Sequence, residues 1–108
     1  MIKFSQTLKA FIADVNANAN AHGFWEGSNK GEKIALMHSE LSEALEAIRK
    51  GSPADEKCPE FSNEVVELAD CVIRIFDYCG QFDLDIVGAL SAKHAYNKNR
   101  PHKHGKQF

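Results

Sequence analysis

Two acidic pairs carry the clearest chemical signal in the chain: Glu40-Leu-Ser-Glu43 and Glu67-Leu-Ala-Asp70, with 23 residues between Glu43 and Glu67. Residues three apart on a helix are surface neighbours, with about 5–6 Å between their Cβ atoms. Each pair can therefore aim two carboxylates at one point, and two antiparallel helices can bring all four together. Magnesium takes hard oxygen ligands, keeps several waters and completes its shell with substrate phosphates. Four converging carboxylates suit one such ion or more. At about 100° per residue, Glu40 and Glu43 share a side stripe with Leu36 and Ala47. Glu67, Asp70 and Arg74 occupy the one arc of their segment that is not apolar. A carboxylate among apolar residues is costly unless it is paired or bound to metal. The plain alternative is a pair of solvated helix faces with ion pairs along them.

Four helical segments are needed to place these acids. The first runs over about 5–21, with Ser5 as its N-cap and Leu8, Phe11, Ile12 and Val15 at helical spacing. A Gly/Ser/Asn-rich loop holding Phe24 and Trp25 follows. The second helix spans about 32–49, and its stripe Ile34, Met37, Leu41, Leu45 and Ile48 is read as facing the bundle. Gly51 suits the turn beyond its C-cap. The third spans about 62–79, capped by Ser62 or Asn63, with Val65, Leu68, Ala69, Val72, Phe76 and Cys79 as its core stripe. Val66, Ile73 and Ile75 widen that stripe beyond one face, as in a central helix or one packed against a second subunit. The fourth covers about 84–97, and Pro101 stops it. These segments predict an all-α, four-helix antiparallel bundle over 1–100, oligomeric because its core is small, with a basic, disordered tail over 101–108.

Composition narrows the classes further. The chain of 108 residues is 44% hydrophobic and 26% charged, as a folded single domain is. A net charge of −2 gives no electrostatic case for a nucleic-acid or membrane partner. The first residues lack the apolar core of a signal peptide, and no segment approaches the ~20 apolar residues of a membrane span. A cytoplasmic protein is expected. Cys71 and Cys79 lie eight residues apart on one helix, about 12 Å along its axis, too far for a disulfide. Buried free thiols are the simplest reading of the three cysteines.

The arrangement E-x-x-E, a gap of some two dozen residues, then E-x-x-D resembles the signature of the MazG-like all-α nucleoside triphosphate pyrophosphohydrolases. The strings around it are similar too: Gly23-Phe-Trp-Glu26, Lys33 to Glu46, Glu64 to Asp70, and Lys93 to Lys106. The resemblance implies Mg²⁺ (with Mn²⁺ as a substitute) held by Glu40, Glu43, Glu67 and Asp70. It implies cleavage of a nucleoside triphosphate, a dNTP by preference, to monophosphate and pyrophosphate. It also implies a homodimer or homotetramer with sites at subunit interfaces. Many relatives carry a further Glu directly before the first E-x-x-E as proton acceptor, where this chain has Ser39. Glu46, or a metal-activated water with no dedicated base, then takes that role beside Glu43. Glu64 is either a further ligand or a surface acid.

Lys93 and Asn97 share a helix face, and Arg100 joins them if the helix reaches it. The three can grip phosphates, or simply form the basic end of a helix favoured by its dipole. Trp25, and less directly Phe24, can stack on a base or plug the bundle end. Arg74 reads as an ion-pair partner of the acids, and His38 as a surface residue. His102 and His104 belong to the tail. A di-iron carboxylate protein is disfavoured, because no E-x-x-H occurs. The remaining rival is a non-enzymatic helical oligomerisation or interaction module.

Overall fold

The computed structural model describes residues 4–106. Residues 1–3 and 107–108, the last two of the expected tail, lie outside the described residues. The chain forms α1 (Phe4–Ala21), α2 (Lys30–Arg49), α3 (Asn63–Gln81), α4 (Ile86–Lys98) and a 3-10 turn at His102–Gly105. No strand occurs among the described residues, and no helix there is long and apolar enough to cross a membrane.

Local chemistry sets the ends. Asn29 caps α2 by accepting the Glu32 N–H, so that the helix begins at Lys30, two residues before the expected start. Ser62 caps α3 by accepting the Val65 N–H, and Asp85 caps α4 through the Gly88 N–H. Ser5 is not a cap, because α1 already includes Phe4. Gly51 turns the chain after α2 at φ 83°, where a side chain would be strained. The expected tail is helical in part, since His102–Gly105 form the 3-10 turn.

α2 and α3 pack antiparallel, as their cross-contacts show. The Cys71 thiol approaches the Met37 carbonyl, Arg74 meets Glu40, and Ser52 beyond one end meets Glu64 near the start of the other. α1 lies against the C-terminal half of α3. There Phe11 meets Phe76 edge-on at 6.2 Å, and the Asn16 amide donates to Asp77 and Gln81. α4 rests lightly on α1, and only its Val87 is buried.

The helix faces differ from the expected ones. The buried positions of α2 are Lys33, Glu40, Ala44 and Ala47. Its apolar stripe points outward: Ile34, Leu41, Leu45 and Ile48 are 41–53% exposed. Val65, Leu68 and Val72 of α3 are 41–47% exposed, and Ala69 is exposed as well. The cause is steric and electrostatic. The inner arc of α2 is occupied by the small Ala44 and Ala47 together with Lys33 and Glu40. The bulky stripe is left on the flank of the hairpin. Cys71 and Cys79 are buried thiols, whereas Cys58 is exposed, so that part of the cysteine expectation is corrected.

Candidate metal centre

Antiparallel packing of α2 on α3 brings Glu40, Glu67 and Asp70 together, with carboxylate oxygens within 4.8 Å of one another. Glu40 is 7% exposed. Its Oε1 accepts a 2.9 Å hydrogen bond from Arg74 Nε, an ion pair across the two helices. Its Oε2 is buried with no partner. Glu67 repeats the pattern. Oε1 accepts from the Asn63 amide at 3.3 Å, and Oε2 is buried and bare. Buried polar atoms in proteins are almost always satisfied, so two bare carboxylate oxygens in one cluster call for a partner, which a proton shared among the acids or a cation can supply. Glu43 stands outside the tight triad but next to Glu67, on the wall of the same cavity.

The electrostatics follow from crowding. Burial, the hydrogen bonds that a protonated Glu67 makes with Glu43 and Glu40, and the charges of both push the Glu67 carboxyl up to about 7. Burial raises Asp70 too, helped by the charges of Glu40, Asp55 and Glu43 and opposed by Arg74. A carboxyl at about 7 when folded and 4.5 as the reference value binds more protons folded than unfolded between those limits. Stability of the metal-free protein therefore falls as pH rises from about 4.5 through about 7. Asp55 is shifted the other way and acts only below 3.8. The melting temperature in EDTA is expected to drop by several degrees between about pH 5.5 and 8. A divalent cation bound by these carboxylates would reverse that loss increasingly as pH rises, because a metal ligand must be deprotonated. A flat profile in EDTA would contradict the crowding.

The cavity has a volume of about 650 Å³ and lies between α1 and the α2–α3 hairpin. Phe24, 57% exposed, lies on its wall with Lys33, Lys57 and Arg74 as its cations. Lys33, seven residues before Glu40 and so on the same face of α2, is buried. Its ammonium donates to the Phe24 carbonyl and sits 4.6 Å from the Trp25 ring centre. Trp25 donates its indole N–H to Asp77 at 3.0 Å and packs edge-on against Phe82 at 5.4 Å. These contacts fasten the 22–28 loop, so that Phe24 rather than Trp25 faces the cavity.

The other expected residues lie elsewhere. Glu46 is exposed beside Arg49 and Lys50, each 3.9 Å away, and is not on the cavity wall. Glu64 accepts from Ser52 Oγ at 2.8 Å, and His38 is exposed. Lys93 and Asn97 are on α4, which contributes nothing to the wall, and Arg100 falls beyond the helix end. Lys93 and Arg100 flank the Tyr96 ring at 4.7 and 5.5 Å.

Sequence reasoning missed Lys33, Lys57 and Asp77 as cavity residues. For two of these a signal exists: Lys33 precedes Glu40, and Asp77 follows Asp70, by seven residues, which is two turns on one face. Comparisons with known families, with curated proteins and with solved structures find no match, so the site is read from its own residues.

Proposed function

We propose that this protein is a Mg²⁺-dependent nucleoside triphosphate pyrophosphohydrolase of the MazG-like kind, converting a (d)NTP to its monophosphate and pyrophosphate. The supporting observation is the pair of buried, unpartnered oxygens on Glu40 and Glu67, inside a three-carboxylate cluster. The donor set is all oxygen, as Mg²⁺ prefers. Glu40, Glu67 and Asp70 would hold the ion, with Glu43 beside them. Bound there, Mg²⁺ supplies charge neutralisation for the phosphates and makes the attacking water more acidic. Phosphoryl transfer otherwise asks for positioning and electrostatic stabilisation. Lys57, exposed on the wall, meets phosphate charge, while Arg74 holds Glu40 in place. Phe24 offers a face for a base. Glu46 has no part in this reading, since its carboxylate lies beside Arg49 and Lys50.

The exposed apolar flank of α2 and α3 supports self-association as part of the same reading. It also fits the rival, a purely structural oligomerisation module, which predicts no joint stabilisation by Mg²⁺ and a triphosphate. Pyrophosphate release is to be measured over a panel of NTPs and dNTPs with Mg²⁺, comparing wild type with Glu43→Gln. Turnover on at least one nucleotide, reduced at least about a hundredfold in the variant, is expected. A folded wild-type protein inert on the whole panel would transfer the case to the structural module.

A further inference from the structure

The two bare oxygens belong to glutamates held in the same way, each with one oxygen taken by a donor and the other left free. For Glu40 the donor is Arg74. For Glu67 it is Asn63, the first residue of α3 and one turn before Glu67 on the same face. Asn63 is itself fixed. Its backbone N–H donates to the Pro53 carbonyl at 2.7 Å, and its side-chain amide donates to Asp55 Oδ1 at 2.8 Å as well as to Glu67. An amide NH₂ has two hydrogens, so both acceptors can be served at once.

Asp55 is the anchor of this arrangement. It is buried at 7% exposure, and its second oxygen accepts the N–H groups of Lys57 and Cys58 at 2.9 Å each. The Cys58 N–H and the Asn63 amide hold its carboxyl below the ordinary aspartate range. Its own backbone N–H donates to the Phe61 carbonyl, next to the Ala54–Ser62 bridge. The loop between α2 and α3 is thus tied into one piece around a single carboxylate. That piece ends on Glu67 in one direction and on the cavity residue Lys57 in the other.

We infer that Asn63, anchored by Asp55, is a positioning residue that clamps one oxygen of Glu67 so that the other is presented to a divalent cation. The inference rests on the proposal that the acidic cluster holds such a cation. Without the clamp, Glu67 can turn about its side-chain torsions, and its bare oxygen is no longer fixed beside those of Glu40 and Asp70. Partners behind a metal ligand typically contribute about 10–100-fold to metal affinity.

The test is Mn²⁺ binding to the nucleotide-free protein, followed by electron paramagnetic resonance, for wild type, Asn63→Leu and Asn63→Gln. Melting temperatures in EDTA are taken on the same samples. Asn63→Leu keeps the size and removes the donors, and Asn63→Gln restores them on a longer arm. A roughly tenfold loss of Mn²⁺ affinity in Asn63→Leu, partly recovered in Asn63→Gln, is expected. The Mg²⁺ concentration for half-maximal pyrophosphate release should rise by the same factor, with the rate at saturating Mg²⁺ kept within about twofold. Unchanged Mn²⁺ affinity in Asn63→Leu overturns the inference and leaves the metal site standing, even if the melting temperature falls. A wild-type protein that binds no Mn²⁺ overturns both.

Discussion

Glu67→Gln is expected to raise the melting temperature of the metal-free protein at pH 8 by a few degrees while lowering pyrophosphate release at least about a thousandfold. The two effects share a cause. At pH 8 the folded protein keeps the Glu67 carboxylate ionised beside Glu40 and Glu43, although those neighbours and burial hold its carboxyl at about 7. Gln has the same shape without the charge, and its amide can donate to the carboxylates around it. Repulsion and an unsatisfied buried oxygen are removed together. The stabilisation should shrink toward pH 5.5, where wild-type Glu67 is already protonated. The same change takes a charged oxygen from the proposed cation site, and a thousandfold loss corresponds to about 4 kcal/mol of transition-state stabilisation. Sites that store strain for function commonly gain stability when disabled. Scanning calorimetry in EDTA at both pH values, with a pyrophosphate assay, decides the matter. A variant that melts lower at pH 8 would mean that Glu67 is satisfied by contacts of its own, and a variant with wild-type turnover would remove Glu67 from the reaction.

The acidic cluster was legible because its information is local. Spacing of three on each of two consecutive helices, with an antiparallel turn between them, suffices to bring Glu40, Glu67 and Asp70 together. Arg74 was legible for the same reason, although its partner is Glu40 across the interface rather than Asp70 on its own helix. What stayed hidden depends on which arc of a helix meets its neighbour. Hydrophobic period marks an apolar arc but not what covers it. On α2 the interior received Lys33, Glu40, Ala44 and Ala47, while the larger residues were left outside. The contacts of Lys33 and Trp25 were hidden because their partners, the Phe24 carbonyl and Asp77, are fixed by tertiary packing. The Asp55–Asn63–Glu67 chain joins a loop to a helix end, and no periodic pattern marks such a contact.

The apolar flank leads to the second large effect. Ile34, Leu41, Leu45 and Ile48 of α2 and Phe61, Val65, Leu68 and Val72 at and along α3 are all 41–55% exposed. On each helix these residues recur at three-, four- or seven-residue steps, so each set occupies one exposed arc. Isolated exposed apolar residues are ordinary, but a clustered set is the mark of an interaction surface. Covering the remaining half of such a side chain contributes about 1 kcal/mol, so two copies joined across these arcs gain on the order of 15 kcal/mol. The cost of association is about 4–15 kcal/mol, so the gain exceeds the lower part of that range and breaks even at its upper end. Leu41→Glu/Leu45→Glu should therefore convert an oligomer into a monomer at micromolar concentration, as read by light scattering. Helical circular dichroism should be unchanged, because neither side chain is part of the buried core. Pyrophosphate release from the resulting monomer then separates two arrangements of the site. Retained turnover would mean that the carboxylate triad of one chain suffices, and lost turnover in a folded monomer would mean that a second copy completes the cavity. A wild-type chain that is itself monomeric at high concentration would contradict self-association through these arcs.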